Sequence, residues 1–404
     1  MHTETAFVLT ILVLCYAVVS GLVRRWYLAP ALIFVGAGMA LGPFGLDWVR
    51  IDAGTEAFTI LAQLALTVIL FNQASMLDLR NVFRRGHLTL RLLAIGIPVT
   101  IALGTVTAVL VWPVLPLWEA VCMAVIVAPT EAALIAALLE DRRIPGRVRH
   151  ALSAESGFYD GFALAVLFGA LALASEHSDP TPARWAWFAF RTEFVSLVVG
   201  AGIGLLGAIV ISRSRERGWM SSTWAQLATL ALALTCFGVG ERLHASGFVT
   251  AFAGGLVYAM VSAPGPDEQA TTQVSDAAGE LLELLVFAIF GGFAVIPAWQ
   301  HAGWRVVVFA AVSLIGVRIV AVAIAMIRSG LSARSVLFMG WFGPRGIGTV
   351  VLGLLVIGRG EIHQGALISQ VVVVTVTASL VLHSLTTPVG IRLVAHSPDH
   401  GETS

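Results

Sequence analysis

The sequence predicts an all-α membrane protein of about thirteen transmembrane helices, and three observations carry that prediction. Hydrophobic residues make up 58% of the 404 and charged residues only 12%, about half the charged share of soluble domains. Apolar runs of about 18 residues or more recur from end to end, each long enough to cross a hydrocarbon core of roughly 30 Å. Helices follow rather than strands, because an isolated apolar run of that length satisfies its own backbone polar groups.

The expected spans are about 5–23, 28–44, 55–75, 88–113, 117–138, 150–174, 188–212, 222–240, 246–262, 279–296, 303–328, 334–356 and 364–388. The opening Met1-His2-Thr3-Glu4 lacks the basic segment of a signal peptide, so the first span is expected to be retained. Cys15, Cys122 and Cys236 each fall in an apolar run, with neither zinc spacing nor a disulfide framework. Formal net charge is zero and lysine is absent, which leaves nucleic acid without an electrostatic footprint.

Arginine asymmetry predicts the sidedness. Sixteen arginines lie on loops after odd-numbered spans or in the C-terminal tail, against six (Arg50, Arg184, Arg191, Arg242, Arg305 and Arg359) on the opposite side. The expected arrangement is a multi-pass protein of the cell membrane, N-terminus outside, with residues 390–404 as a short cytoplasmic tail.

Two spans are interrupted in a corresponding way. The fifth contains Ala128-Pro129-Thr130-Glu131 and the twelfth Gly343-Pro344-Arg345-Gly346-Ile347-Gly348. Proline removes a backbone donor and glycine loosens the helix, so both spans are expected to unwind near mid-membrane. Pro129 and Pro344 are 215 residues apart, and the same shift carries the fourth and sixth spans onto the eleventh and thirteenth. Seven spans separate the copies, an odd number, so the repeats are inverted. Inverted repeats with paired broken helices point to a secondary transporter.

Glu131, Glu155, Asp160, Arg318 and Arg345 are placed well inside spans, where each ionised group costs about 2.5–3.5 kcal/mol on insertion scales. Three acids and two arginines leave one spare negative charge, which a proton or one monovalent cation can neutralise. Asp160 is the candidate carboxylate, sharing a helix face with Ser156 four residues earlier. Glu155 is expected to form a buried ion pair with Arg318. Arg345 is expected to offset the carbonyl ends of the facing half-helices. Thr130 supplies hard oxygen donors, and Glu131 is either a further ligand or a group tuning Asp160.

At these residues the chain resembles the monovalent cation:proton antiporter family, which includes bacterial sodium/proton antiporters and relatives of the animal sodium/proton exchangers. The resemblance runs through Leu70-Phe71-Asn72-Gln73-Ala74-Ser75, Leu77-Asp78-Leu79-Arg80, Ala128-Pro129-Thr130-Glu131, Ile144-Pro145, Glu155-Ser156-Gly157-Phe158-Tyr159-Asp160-Gly161, Arg318 and Trp341-Phe342-Gly343-Pro344-Arg345-Gly346. It implies one transporter unit over residues 1–389, forming a homodimer. Its core domain would be about 88–174 and 303–388, and its dimerisation domain about 5–75 and 188–296. The unwound fifth and twelfth helices would cross at the site. It further implies Asp160, Ser156 and Thr130 as ligands of a monovalent cation, Glu131 beside them, and the transported Na+, K+ or Li+ and H+ in place of any cofactor. The family usually has Asn where Tyr159 stands, and often a third-span carboxylate where Asn72 and Gln73 stand.

Two rivals share the residues. A channel or non-coupled relative of the fold fits the two neutral replacements. An intramembrane aspartyl protease would need a second aspartate, and the nearest candidate is in Gly265-Pro266-Asp267, in a polar loop.

Overall fold

The structure is a computed structural model that describes residues 3–49, 56–77, 87–131, 133–139, 141–174, 182–262, 268–359 and 362–395. Among these, helices are the regular structure throughout. They fall into thirteen successive units, numbered here α1 to α13: α1 (Thr3–Arg25), α2 (Pro30–Leu41), α3 (Glu56–Ser75), α4 (His87–Val111), α5, α6 (Gly146–Ala174), α7 (Pro182–Glu216), α8 (Ser222–Arg242), α9 (Gly247–Val261), α10, α11 (Trp304–Ala325), α12 and α13 (Gly365–Ala395). Helix α10 runs over Glu268–Phe290 and on through a π-helical turn to Gln300.

Two units are broken, as expected. The first half of α5, Leu117–Ile126, stops before Pro129, and the chain resumes as a 3-10 turn at Ala133–Ile135 and one α-turn at Ala136–Leu139. The first half of α12, Ala333–Trp341, stops before Pro344 and resumes at Ile347–Arg359. Eight of the described helices are long and apolar enough to span a bilayer. Unit α2, α9 and the larger halves of α5 and α12 are shorter apolar helices, and α6 carries the charges of Arg147, Arg149 and Glu155.

Helices α4 and α11, the pair related by the 215-residue shift, each contain a π-helical turn, Leu92–Gly96 and Val312–Val317. In α4 the cause is Pro98 at the start of the next segment, which has no amide to continue the ladder. The Thr100 hydroxyl returns to the Gly96 carbonyl at 2.8 Å. The two helices pack together where Gly96 faces Ala325.

Helices α4 to α6 pack with α11 to α13, and α2, α3 and α7 to α10 pack with one another, with further packing between these two sets where α6 meets α7 and α3 meets α12. Close approach in the second set uses Gly200 and Gly204, whose added Cβ would lie 2.3 Å from the Thr250 carbonyl oxygen and 2.2 Å from that of Gly254. Small residues four apart let membrane helices meet backbone to backbone.

The end of the chain corrects one expectation. Helix α13 continues to Ala395, so residues 390–395 are helix and not tail. Pro388 sits inside it, but Gly390, Ile391 and Val394 are buried, and their packing holds the helix together past the missing amide. Thr386 and Thr387 back-bond to Leu382 and His383 carbonyls at 2.7 Å each. Residues 396–404 lie outside the described set.

One turn outside the spans is pinned to another. Tyr27, at φ 55° just after α1, donates its hydroxyl to Asp141 at 3.0 Å in the loop before α6. Arg143 binds the same carboxylate at 2.7 Å and, chiefly through these hydrogen bonds, holds the Asp141 carboxyl down at about 2.

Candidate functional site

The site is built where the two breaks meet. Pro129 ends the ladder of α5 and Pro344 that of α12, so carbonyls and amides on both sides need new partners. They find them across the gap. The Glu131 amide donates to the Pro344 carbonyl at 2.8 Å. The Arg345 guanidinium donates to the Ala128 carbonyl and, at 3.2 Å, to that of Pro129. The expectation that Arg345 faces the carbonyl end of the opposite half-helix describes this geometry. The approach is so close that a side chain at either of two glycines would force its neighbours to shift. A Cβ on Gly343 would lie 2.7 Å from Arg318 Nε, and one on Gly346 would lie 2.6 Å from Glu131 Cγ.

Helix α6 supplies the third wall. The Ser156 hydroxyl donates to the Thr130 carbonyl at 2.6 Å, joining α6 to the break in α5. The neighbouring Glu155 receives both terminal nitrogens of Arg318 from α11, at 2.5 and 2.8 Å. Glu155 and Arg318 are 0% and 1% exposed, so this two-pronged pair is fully enclosed, where breaking it is costly. Thr130, Glu131, Ser156 and Arg345 are buried with it. Asp160 lies in α6 one turn after Ser156; its side chain is outside the described set, as are Asp78, Arg80 and Asp267.

The third span contributes differently from its resemblance. Gln73 reaches Glu131, donating to Oε1 at 3.3 Å. Asn72 points instead to α10, where its Oδ1 accepts from Ser275 at 2.7 Å. Tyr159 is fully buried in the apolar core. In this chain the α3 contact therefore falls on Glu131.

Thr130, Glu131, Glu155, Ser156, Arg318, Arg345 and Gln73 are therefore brought together, and Asn72 stands one contact away. Two residues were missed by the sequence reading. Ser379 and His383 of α13 are buried, and the Ser379 hydroxyl accepts the Arg345 amide at 2.8 Å. The signal was present as a histidine four residues after a serine inside an apolar span, which an inventory of carboxylates and arginines passes over. Among the described residues no group of three or more His, Cys, Asp or Glu gathers as a metal cluster. The oxygens at the break are carbonyls and hydroxyls, hard donors of the kind that suit alkali cations.

The sodium/hydrogen exchanger transmembrane model matches residues 9–391. The chain belongs to the sodium/hydrogen exchanger family. Its members are transporters rather than enzymes, and the chain is a multi-pass membrane protein. A probable Na(+)/H(+) antiporter from Schizosaccharomyces pombe is 26% identical over 88% of this chain and 48% of its own length. The K(+)/H(+) antiporter NhaP of Alkalimonas amylolytica is 26% identical over 86% of this chain and 60% of its own. The chain thus spans about half the length of these curated relatives. Among solved structures, the sodium proton antiporter MjNhaP1 from Methanocaldococcus jannaschii aligns with TM-score 0.77 at 18% identity, covering 97% of this chain and 99% of that one. The family fold, with its two interrupted helices, is therefore the fold of this chain.

Proposed function

We propose that this protein exchanges a monovalent cation for a proton by alternating access, with Asp160 as the carboxylate for which the two compete. The observation that carries the reading is the pairing of the Glu155 and Arg318 charges. Glu155 is paired with Arg318, and Arg345 is held on the carbonyls that precede Glu131 in the chain. One acid is left over, one turn from a serine that is bonded to the Thr130 carbonyl. A site with one spare charge holds a proton or a cation in turn, which is the physical basis of antiport and favours one-for-one, electroneutral exchange. Thr130 and Ser156 are the further oxygen ligands in this reading, with Glu131 and Gln73 tuning the site.

A cavity of about 230 Å³ supports access to it. Asn72 and Gln73 line one side and Asp276, Glu280 and Glu283 of α10 the other. Gln73 in its lining also holds Glu131, and the acidic wall concentrates cations. The core domain in this proposal is α4 to α6 with α11 to α13, moving against the remaining helices. The latter would join two copies into a homodimer, for which the sparsely covered α1 offers contact area. The protein would sit in the cell membrane with its N-terminus outside. Names of relatives include both Na(+)/H(+) and K(+)/H(+) antiporters, consistent with a small hard cation.

The test is exchange in proteoliposomes carrying a pH-sensitive dye. Addition of Na+, K+ or Li+ should drive proton movement, and Asp160→Asn should abolish it. Dissipation of an imposed proton gradient without any added cation would instead support a channel, the reading favoured by neutral Gln73 and Tyr159.

A further inference from the structure

In an uninterrupted helix the Arg345 amide would donate to the carbonyl of Trp341, four residues earlier. At the α12 break that bond is absent; the Trp341 carbonyl accepts the Gly343 amide at 3.0 Å, and both it and the Arg345 amide have a further partner on α13. The amide donates to Ser379 Oγ at 2.8 Å. Ser379 Oγ lies 3.0 Å from His383 Nδ1, and His383 Nε2 lies 2.8 Å from the Trp341 carbonyl. We propose that Ser379 and His383 are a positioning pair that closes the broken 341–345 hydrogen bond through side chains, and so holds Arg345 against the carbonyls of α5. The proposal rests on the exchange reading above for its functional consequence.

The two ends of the relay fix its direction. An amide only donates and a carbonyl only accepts. Ser379 Oγ therefore accepts from Arg345, and His383 Nε2 carries a proton toward Trp341; the relay is complete when the serine hydroxyl donates to an unprotonated Nδ1. The alternative orientation has a physical basis, since Nδ1 also lies 2.8 Å from the Ser379 carbonyl. An imidazolium would donate there and take the acceptor away from the serine hydroxyl. Contacts on the same side hold the segment still. Phe342 packs 6.2 Å from the imidazole, and Trp341 Nε1 donates to Thr386 at 2.9 Å. The residue that leaves the α12 half-helix is thereby gripped by α13 at its carbonyl and at its indole.

The experiment compares the wild type with His383→Gln, His383→Ala, Ser379→Ala and the double alanine variant, in proteoliposome exchange and in thermal stability. Glutamine has an amide donor and an oxygen acceptor, so it can replace Nε2–H and Nδ1 without titrating. His383→Gln should keep at least half of the maximal exchange rate. His383→Ala and Ser379→Ala should each lose about tenfold, and the double variant should lose no more than about twofold beyond either, as members of one relay do. Multiplicative losses, wild-type exchange in His383→Ala, or a His383→Gln as impaired as the alanine variant at equal stability would overturn the proposal. A second readout does not depend on exchange. Nitrogen-15 spectra of histidine-labelled protein, assigned by difference against His383→Gln, should show a neutral Nε2–H tautomer whose Nδ1 signal shifts in Ser379→Ala. An Nδ1–H tautomer or an imidazolium at neutral pH would sink the relay even in a protein that exchanges nothing. Absence of exchange in the wild type, with the relay signature intact, would count against the exchange reading alone.

Discussion

The two broken helices are the same device carrying opposite loads. Each stops before a proline and resumes several residues later, and each leaves unpaired backbone groups at the centre of the molecule. The α5 break offers oxygens: the carbonyls of Ala128, Pro129 and Thr130 and the carboxylate of Glu131. The α12 break offers a cation, Arg345, and binds two of those carbonyls with it. Its own loose ends are satisfied from α13 by Ser379 and His383. An inverted repeat thus supplies symmetric backbone, and side chains make one half a receptor for positive charge and the other its permanent counterweight. The half-helix whose carbonyls face Arg345 has a fixed positive charge at its end to offset its dipole.

That contrast can be broken in order of expected effect. Removing the cation should do most harm. Arg345→Met removes the hydrogen bonds to two buried carbonyls, at about 1–3 kcal/mol each; cation-driven proton movement should be lost and the melting temperature should fall. The Glu155–Arg318 pair comes next. Glu155→Gln strands a buried guanidinium and should destabilise by about 3 kcal/mol or somewhat more, whereas the double variant Glu155→Leu with Arg318→Met should recover part of that loss. Thermal unfolding in detergent distinguishes the two outcomes, and equal melting temperatures would remove the pair from this account.

A smaller effect is expected from Gly346→Ala. Its Cβ would meet Glu131 at 2.6 Å, forcing the breaks apart for about 1–3 kcal/mol, with a rise in apparent KM for the cation in dye-coupled exchange. Ser156→Ala removes one buried hydrogen bond, about 0.5–1.5 kcal/mol, and should weaken cation affinity more than maximal rate. Smallest of all is the clamp away from the breaks. Asp141, held at about 2, titrates below the ordinary carboxylate range, so its contribution is fully present above roughly pH 4. It is lost as pH falls through about 2, and Asp141→Asn should remove that acid-side loss while costing under about 1 kcal/mol at neutral pH.

The fold was largely legible in the chain. Long apolar runs admit few alternatives to membrane helices, and prolines with glycines 215 residues apart announced both breaks. Boundaries set by packing were less legible: α13 reads as ending near Pro388, yet buried Ile391 and Val394 carry it on to Ala395. In the site, Glu155 and Arg318 were matched because buried opposite charges need each other. Partners for neutral groups were not, since an amide or hydroxyl has many acceptable neighbours and no charge to balance. Gln73 reaching Glu131, Asn72 turning to Ser275, and His383 with Ser379 bridging a helix break are all of this kind.

What the sequence determined by itself was therefore the all-helical membrane class, the places where two helices fail, and the charges that must be compensated inside the membrane. Hydrophobic length, missing amides and the cost of buried charge are local quantities, and each is written in a short stretch of residues. Only the tertiary structure decided which carbonyl Arg345 takes, which side of the site Gln73 serves, and how α13 repairs the break in α12. Those bonds join residues far apart in the chain, and the geometry that selects one acceptor over another exists only once the helices are packed.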